Sequence, residues 1–293
     1  MFYLREGIIK KMKQIFVTGA TGFIGKHVVK TLVKQNYQVS VLVRSMEKLK
    51  ECVPEILNQL TVYQIKDSIK SEKKIEELAE FFLQRQIECV IHLATNYRTE
   101  STKSDIEGLI EGNITFGVQI LEAMKLAGVK KLIYTGSSWQ HYQNLEYCPV
   151  NVYAATKQAF EDILSYYTEV EKIHTIILEI YDTYGEEDTR NKIINNWKQV
   201  IKRRKSQATE EMIKLSLGEQ KLDYVYIEDI VNGIIKAMQL LEPVTSDKKY
   251  KKKYALSSDT VYTLKEIAVI FERIVQICTF FRYSLYIKRN CCD

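Results

Sequence analysis

The chain has 293 residues, of which 46% are hydrophobic and 27% are charged. That balance is ordinary for a globular protein and excludes wholesale disorder, a collagen-like repeat and a membrane bundle. A net charge of +5 is too small an excess to indicate nucleic-acid binding. No run reaches the roughly 18 apolar residues that a membrane span needs, and residues 1–13 are too charged for a secretory signal. We therefore expect a cytoplasmic protein with no membrane or nucleic-acid partner.

The cysteines and the densest basic runs indicate no further ligand. None of the six cysteines forms a Cys-x-x-Cys pair, so neither a metal site nor a disulfide framework is predicted. The basic runs at 202–205 and 248–253 are interpreted as solvated loops or helix faces.

Short apolar runs alternate with helical patterns up to residue 180. Strands are predicted at 14–17, 39–43, 60–65, 89–93, 131–134 and 175–180, and helices at 27–34, 71–84, 105–126 and 154–170. This alternation is typical of a doubly wound parallel sheet, so we predict an α/β Rossmann fold. After residue 185 the pattern loosens into helices near 192–204, 227–241 and 264–277 and a short strand near 213–217, which predicts a smaller C-terminal lobe.

A glycine-rich turn lies between the first predicted strand and the first helix. Residues 18–25 read Thr-Gly-Ala-Thr-Gly-Phe-Ile-Gly. Gly19 permits a tight turn, Gly22 lets the backbone approach a pyrophosphate, and Gly25 lets helix and strand pack closely. The amino terminus of the following helix attracts phosphate through its unpaired N–H groups and its partial positive charge. The sequence therefore predicts a dinucleotide site here.

The residue after the second strand distinguishes between the two nicotinamide dinucleotides. An acidic residue there usually holds the free ribose hydroxyls of NAD, whereas an arginine meets the 2′-phosphate of NADP. This position is Arg44, and the first carboxylate after it is Glu47. Because a guanidinium pairs well with phosphate, NADP(H) is favoured and NAD(H) is the alternative.

A tyrosine and a lysine lie four residues apart at the start of the helix predicted at 154–170. The spacing of Tyr153 and Lys157 puts both side chains on one helical face. A free phenol has a pKa of about 10, and a neighbouring ammonium lowers it toward the range useful for proton transfer at neutral pH. The pair is therefore a candidate acid–base dyad.

Together these motifs resemble the extended short-chain dehydrogenase/reductase family, in its NAD(P)-dependent epimerase/dehydratase group. The glycine turn is similar to the family's Thr-Gly-x-x-Gly-x-x-Gly fingerprint, and Tyr-x-x-x-Lys follows it at the family's distance. The resemblance implies that Tyr153 transfers a proton and that Lys157 holds the nicotinamide ribose. It also implies that Ser138, or failing it Ser137, orients the substrate carbonyl. The residues implied to contact the cofactor are Gly19, Thr21, Gly22, Phe23, Ile24, Gly25, Arg44, Asp67, Ser68, Leu93, Ala94, Tyr153 and Lys157.

The resemblance extends over most of the chain and divides it into four segments. Residues 1–12 form an N-terminal extension, 13–185 an NAD(P)-binding Rossmann domain, and 186–277 a substrate-binding lobe interleaved with that domain. Residues 278–293 depart from the family pattern, which predicts a truncated or frame-shifted end. By analogy, a homodimer would form through the helices predicted at 105–126 and 154–170.

Three chemistries of the family compete for this chain. Dehydratases carry an Asp-Glu pair after the catalytic hydroxyl, but Trp139 and Gln140 occupy those positions, so dehydration is disfavoured. Arg44 disfavours 4-epimerases that retain NAD, whereas reduction of a ketone by NADPH fits both observations. Residues 139–142 and 182–185 resemble the CDP-abequose synthase branch of nucleotide-sugar 4-ketoreductases. The candidate substrate contacts are Ser137, Trp139, Arg190 and Lys192.

Two other functions stay open at this point. One is a nucleotide-sugar 4-epimerase that keeps NAD bound, and the other is a catalytically silent NAD(P)-sensing protein, although regulatory members typically lose the tyrosine or the lysine. Asn113 is interpreted either as a structural amide or as a site residue, and His92 as a core residue.

Overall fold

The chain folds into two compact units. The computed structural model describes residues 14–65, 71–98, 101–207, 213–241, 243, 249–258, 260–275 and 281–283. The extension at 1–12, Asp67, Ser68 and most of the tail at 278–293 lie outside the described residues. One unit comprises the chain up to Ile180 together with Glu228–Leu256, and the other comprises Tyr181–Ile227 with the residues from Ser257 onward. The second unit starts at Tyr181.

The predicted strands and helices occur close to their predicted positions, and the chain also forms one short helix and several short strands that were not predicted. The strands are β1 (Gln14–Thr18), β2 (Gln38–Val43), β3 (Leu60–Gln64), β4 (Cys89–His92), β5 (Lys131–Ser137), β6 (His174–Ile180), β7 (Asp182–Tyr184), β8 (Ile213–Leu215), β9 (Lys221–Leu222), β10 (Tyr224–Tyr226), β11 (Lys251–Leu256), β12 (Tyr262–Thr263) and β13 (Phe281–Tyr283). The helices are α1 (Phe23–Lys34), α2 (Met46–Cys52), α3 (Glu72–Gln84), α4 (Ile106–Ile110), α5 (Phe116–Ala127), α6 (Val152–Glu169), α7 (Ile193–Gln207), α8 (Ile227–Leu241) and α9 (Leu264–Val275).

A parallel sheet of seven strands forms the centre of the first unit. The strand order is β11–β6–β5–β4–β1–β2–β3. This order confirms the doubly wound α/β fold, and it reverses between β1 and β4. Ligands of such sheets bind outside the carboxyl ends of the strands at the point of reversal. The core beside the sheet includes Phe16, Phe82 and Phe160, which draws α3 and α6 onto the strands.

Two helices differ from their predicted form. The helix predicted from His27 begins at Phe23, because Gly22 adopts the extended conformation of an N-cap immediately after the turn. The helix predicted at 105–126 contains a π-helical turn, Glu111–Thr115, between α4 and α5. Turns of this kind occur frequently at functional sites.

The interpretation of residues 248–253 as a solvated loop or helix face is wrong for the segment that forms β11. Lysine suits an edge strand because its charge discourages pairing with another chain. Alternate residues of this edge meet residues of α6 that are four apart: Lys253 Nζ lies 3.1 Å from Glu161 Oε2, Lys251 Nζ donates to Ser165 Oγ at 2.6 Å, and Lys249 pairs with Glu169. Two residues along a strand and four residues along a helix each span about 6 Å, so every second residue of the strand can meet every fourth residue of the helix.

The second unit has its own small core. Trp197 of α7 is 1% exposed, and its ring centroid lies 5.2 Å from that of Phe271 on α9. Three short strand pairs complete this unit, with β7 beside β10, β9 beside β12 and β8 beside β13. Within the described ranges of both units, no helix is long and apolar enough to cross a membrane.

Candidate active site

The glycine-rich turn joins β1 to α1 at the carboxyl edge of the sheet. Gly19 has a φ of +75°, and a Cβ built on it would lie 2.7 Å from the backbone nitrogen of Ala94. A Cβ on Gly25 would lie 2.1 Å from the carbonyl oxygen of Gly19. Glycine is therefore required at both positions. The first turn of α1 has no side-chain cap and no acidic residue, which favours a bound anion.

The other predicted cofactor residues of this region surround the turn. Thr21, Phe23 and Ile24 are half-buried, whereas Gly22 between them is exposed. Next to β1, the chain leaves β4 through Leu93 and Ala94. The N–H of Leu93 donates to the carbonyl oxygen of Thr18 at 3.3 Å, and the N–H of Ala94 donates to the Thr18 hydroxyl at 3.2 Å. These bonds hold the end of β4 against the glycine turn.

His92 is a buried, uncharged residue of this same edge. Its Nδ1 lies 2.8 Å from Thr18 Oγ1, and its ring packs among those of Phe116, Tyr134 and Phe160. Burial, with the charge of Lys157 as a second cause, lowers the pKa of His92 to about 3. The imidazole is therefore neutral at pH 7 and acts as a core residue rather than as a general base.

Arg44 lies exposed at the end of β2, immediately beside β1 in the sheet. Its carbonyl oxygen accepts a hydrogen bond from Gln64 Nε2 at 3.4 Å, which fixes its backbone. The hydroxyl of Ser45 caps α2 by accepting the N–H of Lys48 at 3.1 Å, and it donates to Glu47 Oε2 at 2.8 Å. The first carboxylate after Arg44 in the sequence therefore forms a hydrogen bond within the first turn of α2, and Arg44 itself is exposed at the strand end.

Tyr153 and Lys157 lie in the first two turns of α6. Asn151 begins this helix, with its side-chain oxygen accepting the N–H of Ala154 at 3.0 Å. Tyr153 is 8% exposed and Lys157 is 2% exposed. The ammonium of Lys157 lies 4.3 Å from the ring centroid of Tyr134. Burial lowers the pKa of Lys157 to about 7, and the charge of Glu161 partly opposes this effect.

The turn after β5 carries the candidate hydroxyls. Ser137 Oγ accepts the N–H of Trp139 at 3.3 Å, so this oxygen caps the turn and Ser138 is the better candidate for substrate. The ring of Trp139 lies 6.4 Å from that of Tyr153, and the ring of Tyr97 lies 5.1 Å from Tyr153 on another side. Tyr97 was not among the predicted site residues, although it lies only a few residues beyond the end of β4, which contacts the glycine turn.

Asn113 connects three segments of the site. Its amide oxygen accepts from Thr95 Oγ1 at 2.9 Å and from the N–H of Asn96 at 2.6 Å. Its amide nitrogen donates to the carbonyl of Asn96 at 3.0 Å and to Thr156 Oγ1 at 2.9 Å. With four partners and 2% exposure, Asn113 fits the interpretation of a structural amide. It ties the segment after β4 to the helical turn that follows Tyr153.

Two predicted substrate contacts belong to the second unit, where each is engaged by a carboxylate. Arg190 donates through Nε and Nη2 to both oxygens of Asp188, at 2.7 and 2.8 Å, and through Nη2 to Thr183. Lys192 Nζ lies 2.8 Å from Asp182 Oδ1. A substrate diphosphate would have to compete with these pairs.

Comparisons with known proteins agree with this architecture. A CDP-abequose synthase of Salmonella muenchen is 30% identical over 229 residues, which cover 78% of this chain and 70% of the relative. A CDP-abequose synthase of Yersinia pseudotuberculosis is 28% identical over 264 residues, which cover 89% of this chain and 84% of the relative. The solved structure of UDP-glucuronic acid 4-epimerase from Bacillus cereus, in complex with UDP-glucuronic acid and NAD, has a TM-score of 0.75 at 21% identity. That superposition covers 94% of this chain and 87% of the other.

A family model also matches most of the chain. The model described as the NAD dependent epimerase/dehydratase family matches residues 15–262, a range that includes the glycine turn, the dyad and parts of both compact units. The chain therefore belongs to the NAD dependent epimerase/dehydratase family.

Proposed function

We propose that this protein reduces the 4-keto group of a nucleotide-activated deoxysugar with NADPH, as the CDP-abequose synthase branch does. Family membership and relatives at 25–30% identity make the chain an NAD(P)-dependent enzyme that modifies nucleotide sugars. The reduction, the deoxysugar and the preference for NADPH are the proposal.

Gln140 is the observation that carries the choice of reaction. Elimination of water needs groups beside the substrate that can take up and release a proton. Gln140 is fully buried, with its amide oxygen accepting the N–H of Ser137 at 2.8 Å and its amide nitrogen donating to Gln158 and Glu161. An amide held in this way transfers no proton, and the indole of Trp139 transfers none either. This supports redox chemistry at the carbonyl without elimination.

The residues of the first unit fit a nicotinamide dinucleotide. A Cβ on Gly19 or on Gly25 would collide with the protein's own backbone, so these glycines let the turn close tightly, and the exposed Gly22 is the position at which a pyrophosphate could approach the backbone. The exposed guanidinium of Arg44 supports NADPH, because it can pair with a 2′-phosphate. When bound, the reduced nicotinamide supplies the hydride that the keto carbon needs.

The dyad supplies the proton. We assign to Tyr153 the donation of its phenolic proton to the keto oxygen of the substrate. Lys157 stabilises the phenolate that remains, because its buried ammonium is weakly screened. Ser138 donates a hydrogen bond to the same substrate oxygen. The rings of Tyr97 and Trp139 cover the sides of the phenol and limit the access of water.

A 4-epimerase that retains NAD is the second candidate. The Bacillus cereus structure with the same fold is a 4-epimerase that holds NAD. The same dyad would serve an epimerase, but such an enzyme returns the hydride to its substrate and consumes no cofactor. Net oxidation of NADPH therefore separates the two candidates.

The test is NADPH oxidation with 4-keto-deoxysugars activated by CDP, dTDP, UDP or GDP, with NADH in parallel. We expect turnover with one nucleotide, and a loss of about 10²- to 10⁴-fold in Tyr153→Phe with NADPH affinity unchanged. Tyr166→Phe is the matched control, because Tyr166 lies on the same helix and is 51% exposed. Equal turnover in Tyr153→Phe, or no turnover with any sugar, would rule out the proposal.

A further inference from the structure

A polar cluster surrounds the buried carboxylate of Glu161 on the same helix as the dyad, and the proton transfer described above does not use this carboxylate. We define the Glu161 cluster as Gln140, His141, Glu161, Glu179 and Lys253. Glu161 is 4% exposed; Gln140 Nε2 donates to its Oε1 at 2.9 Å, and Lys253 Nζ donates to its Oε2 at 3.1 Å. Burying a carboxylate is costly unless charged and polar partners compensate it. The cluster therefore calls for a reason to keep this charge inside the protein.

Glu161 lies one helical turn from Lys157 on α6, and its charge acts on the buried ammonium of Lys157. Tyr153, Lys157 and Glu161 recur every four residues, so they share one face of α6. Burial lowers the pKa of Lys157, and the charge of Glu161 opposes that effect. Tyr134 and the neutral His92 also lie near this ammonium, and Tyr153 shares its face of α6. Glu161 is thus the negative charge that compensates Lys157.

Glu161 also contacts the backbone at the end of β5. A Cβ on Gly136 would lie 2.7 Å from Glu161 Oε1, so the carboxylate packs directly against this strand. Gln140 continues the contact, since its amide oxygen accepts the N–H of Ser137 at 2.8 Å. The position of the turn that carries Ser138 therefore depends on the same carboxylate.

Lys253 supplies the opposing charge from the edge strand. Its Nζ lies 3.1 Å from Glu161 Oε2, 3.1 Å from Glu179 Oε1 and 3.1 Å from His141 Nε2. His141 Nε2 in turn lies 2.5 Å from Glu179 Oε1. Because its side chain is 33% exposed, Lys253 is partly screened by solvent, whereas Lys157 is not. Glu161 thus forms an ion pair with Lys253 and also acts through its charge on Lys157.

On the basis of the function proposed above, we propose that Glu161, balanced by Lys253, is a positioning residue of the Tyr153–Lys157 dyad. Its carboxylate keeps the ammonium of Lys157 charged and, through Gln140, holds the turn that carries Ser138. The edge strand β11 thereby influences catalysis through charge, without contact with the substrate.

The test follows the ionisation of Lys157 directly, by carbon NMR of the full chain labelled at the lysine Cε. The signal of Lys157 is the one that disappears in Lys157→Arg. Glu161→Gln keeps an oxygen acceptor for Gln140 but removes the charge. We expect it to move the titration of Lys157 down by about half a pH unit, or about threefold in its acidity constant. Lys253→Met removes the competing cation, so it should move the titration upward.

Lys251→Met is the matched control, because Lys251 lies on the same strand and contacts α6 one turn away, at Ser165 Oγ. An unchanged Lys157 titration in Glu161→Gln would overturn the proposal. An upward shift in Lys251→Met as large as that in Lys253→Met would also overturn it. If Glu161→Gln does not fold, Lys253→Met decides alone. The absence of an upward shift in Lys253→Met would then overturn the proposal. The measurement needs no substrate, so its failure is distinguishable from failure of the proposed ketoreductase. In an active enzyme, the alkaline limb of the NADPH-oxidation profile should move in the same directions.

Discussion

Replacing Gly25 by alanine tests whether the glycine turn holds the cofactor. The added Cβ would lie 2.1 Å from the carbonyl oxygen of Gly19 and 2.8 Å from its carbonyl carbon. An ordinary carbon contact is about 3.5 Å or longer, so the 2.1 Å contact must lengthen by about 1.4 Å. Overpacking of this kind lowers the free energy of unfolding by about 1–3 kcal/mol. The same displacement moves the N–H groups of α1 that would face a pyrophosphate.

We expect Gly25→Ala to weaken NADPH binding by about 10- to 100-fold, which corresponds to about 1.4–2.8 kcal/mol. The matched control is Gly128→Ala at the end of α5. Gly128 also has a positive φ, +70°, but a Cβ there would meet nothing within 4 Å. This control should lower stability by about 1 kcal/mol and leave NADPH binding unchanged. Titration calorimetry and urea unfolding measure the two effects. Unchanged affinity in Gly25→Ala, or an equal loss in the control, would refute the assignment.

Three further predictions concern the residues around the turn. Arg44→Ala should weaken NADPH about tenfold and NADH hardly at all in direct binding, because only NADPH offers a 2′-phosphate to the guanidinium; equal losses would contradict this. Asn113→Leu leaves buried partners unpaired, so the free energy of unfolding in urea should fall by about 2–4 kcal/mol; a change under about 0.5 kcal/mol would contradict the bonding described. The pKa of His92 is about 3 folded against 6.5 unfolded, so its stabilising effect is complete above pH 6.5 and is lost as the pH falls toward 3. At pH 5.5 the loss is about 1.4 kcal/mol, and His92→Gln should remove it from urea-unfolding curves; an unchanged pH dependence would be contrary evidence.

The parts of the site that were predictable from the sequence are those set by neighbouring residues. The positive φ of Gly19 and the tight contact of Gly25 follow from spacing within one strand–turn–helix unit. The shared face of Tyr153 and Lys157 follows from the helical period alone. Asp188 lies two residues from Arg190, and this short spacing was a local signal that the arginine has a partner within the protein.

The parts that were not predictable depend on contacts between distant segments. Lys253 and Glu161 are 92 residues apart, and nothing in a run of lysines indicates that it forms an edge strand beside a buried carboxylate. Asn113 likewise bonds to residues 17 and 43 positions away, so its role was undecided until the sheet and helices were assembled. Charge and amide patterns specify polarity, but only the fold specifies the partner.

Net consumption of the reduced cofactor is the central claim, and a stoichiometry measurement tests it most directly. The enzyme would be given CDP-4-keto-3,6-dideoxyglucose and NADPH carrying deuterium at the transferable position of the nicotinamide. We predict equal amounts of NADP⁺ and alcohol product, with the deuterium on C4 of the sugar. No NADPH oxidation with this 4-keto sugar, together with interconversion of a 4-hydroxy nucleotide sugar and its C4 epimer without net change in cofactor, would contradict the claim and indicate an epimerase instead.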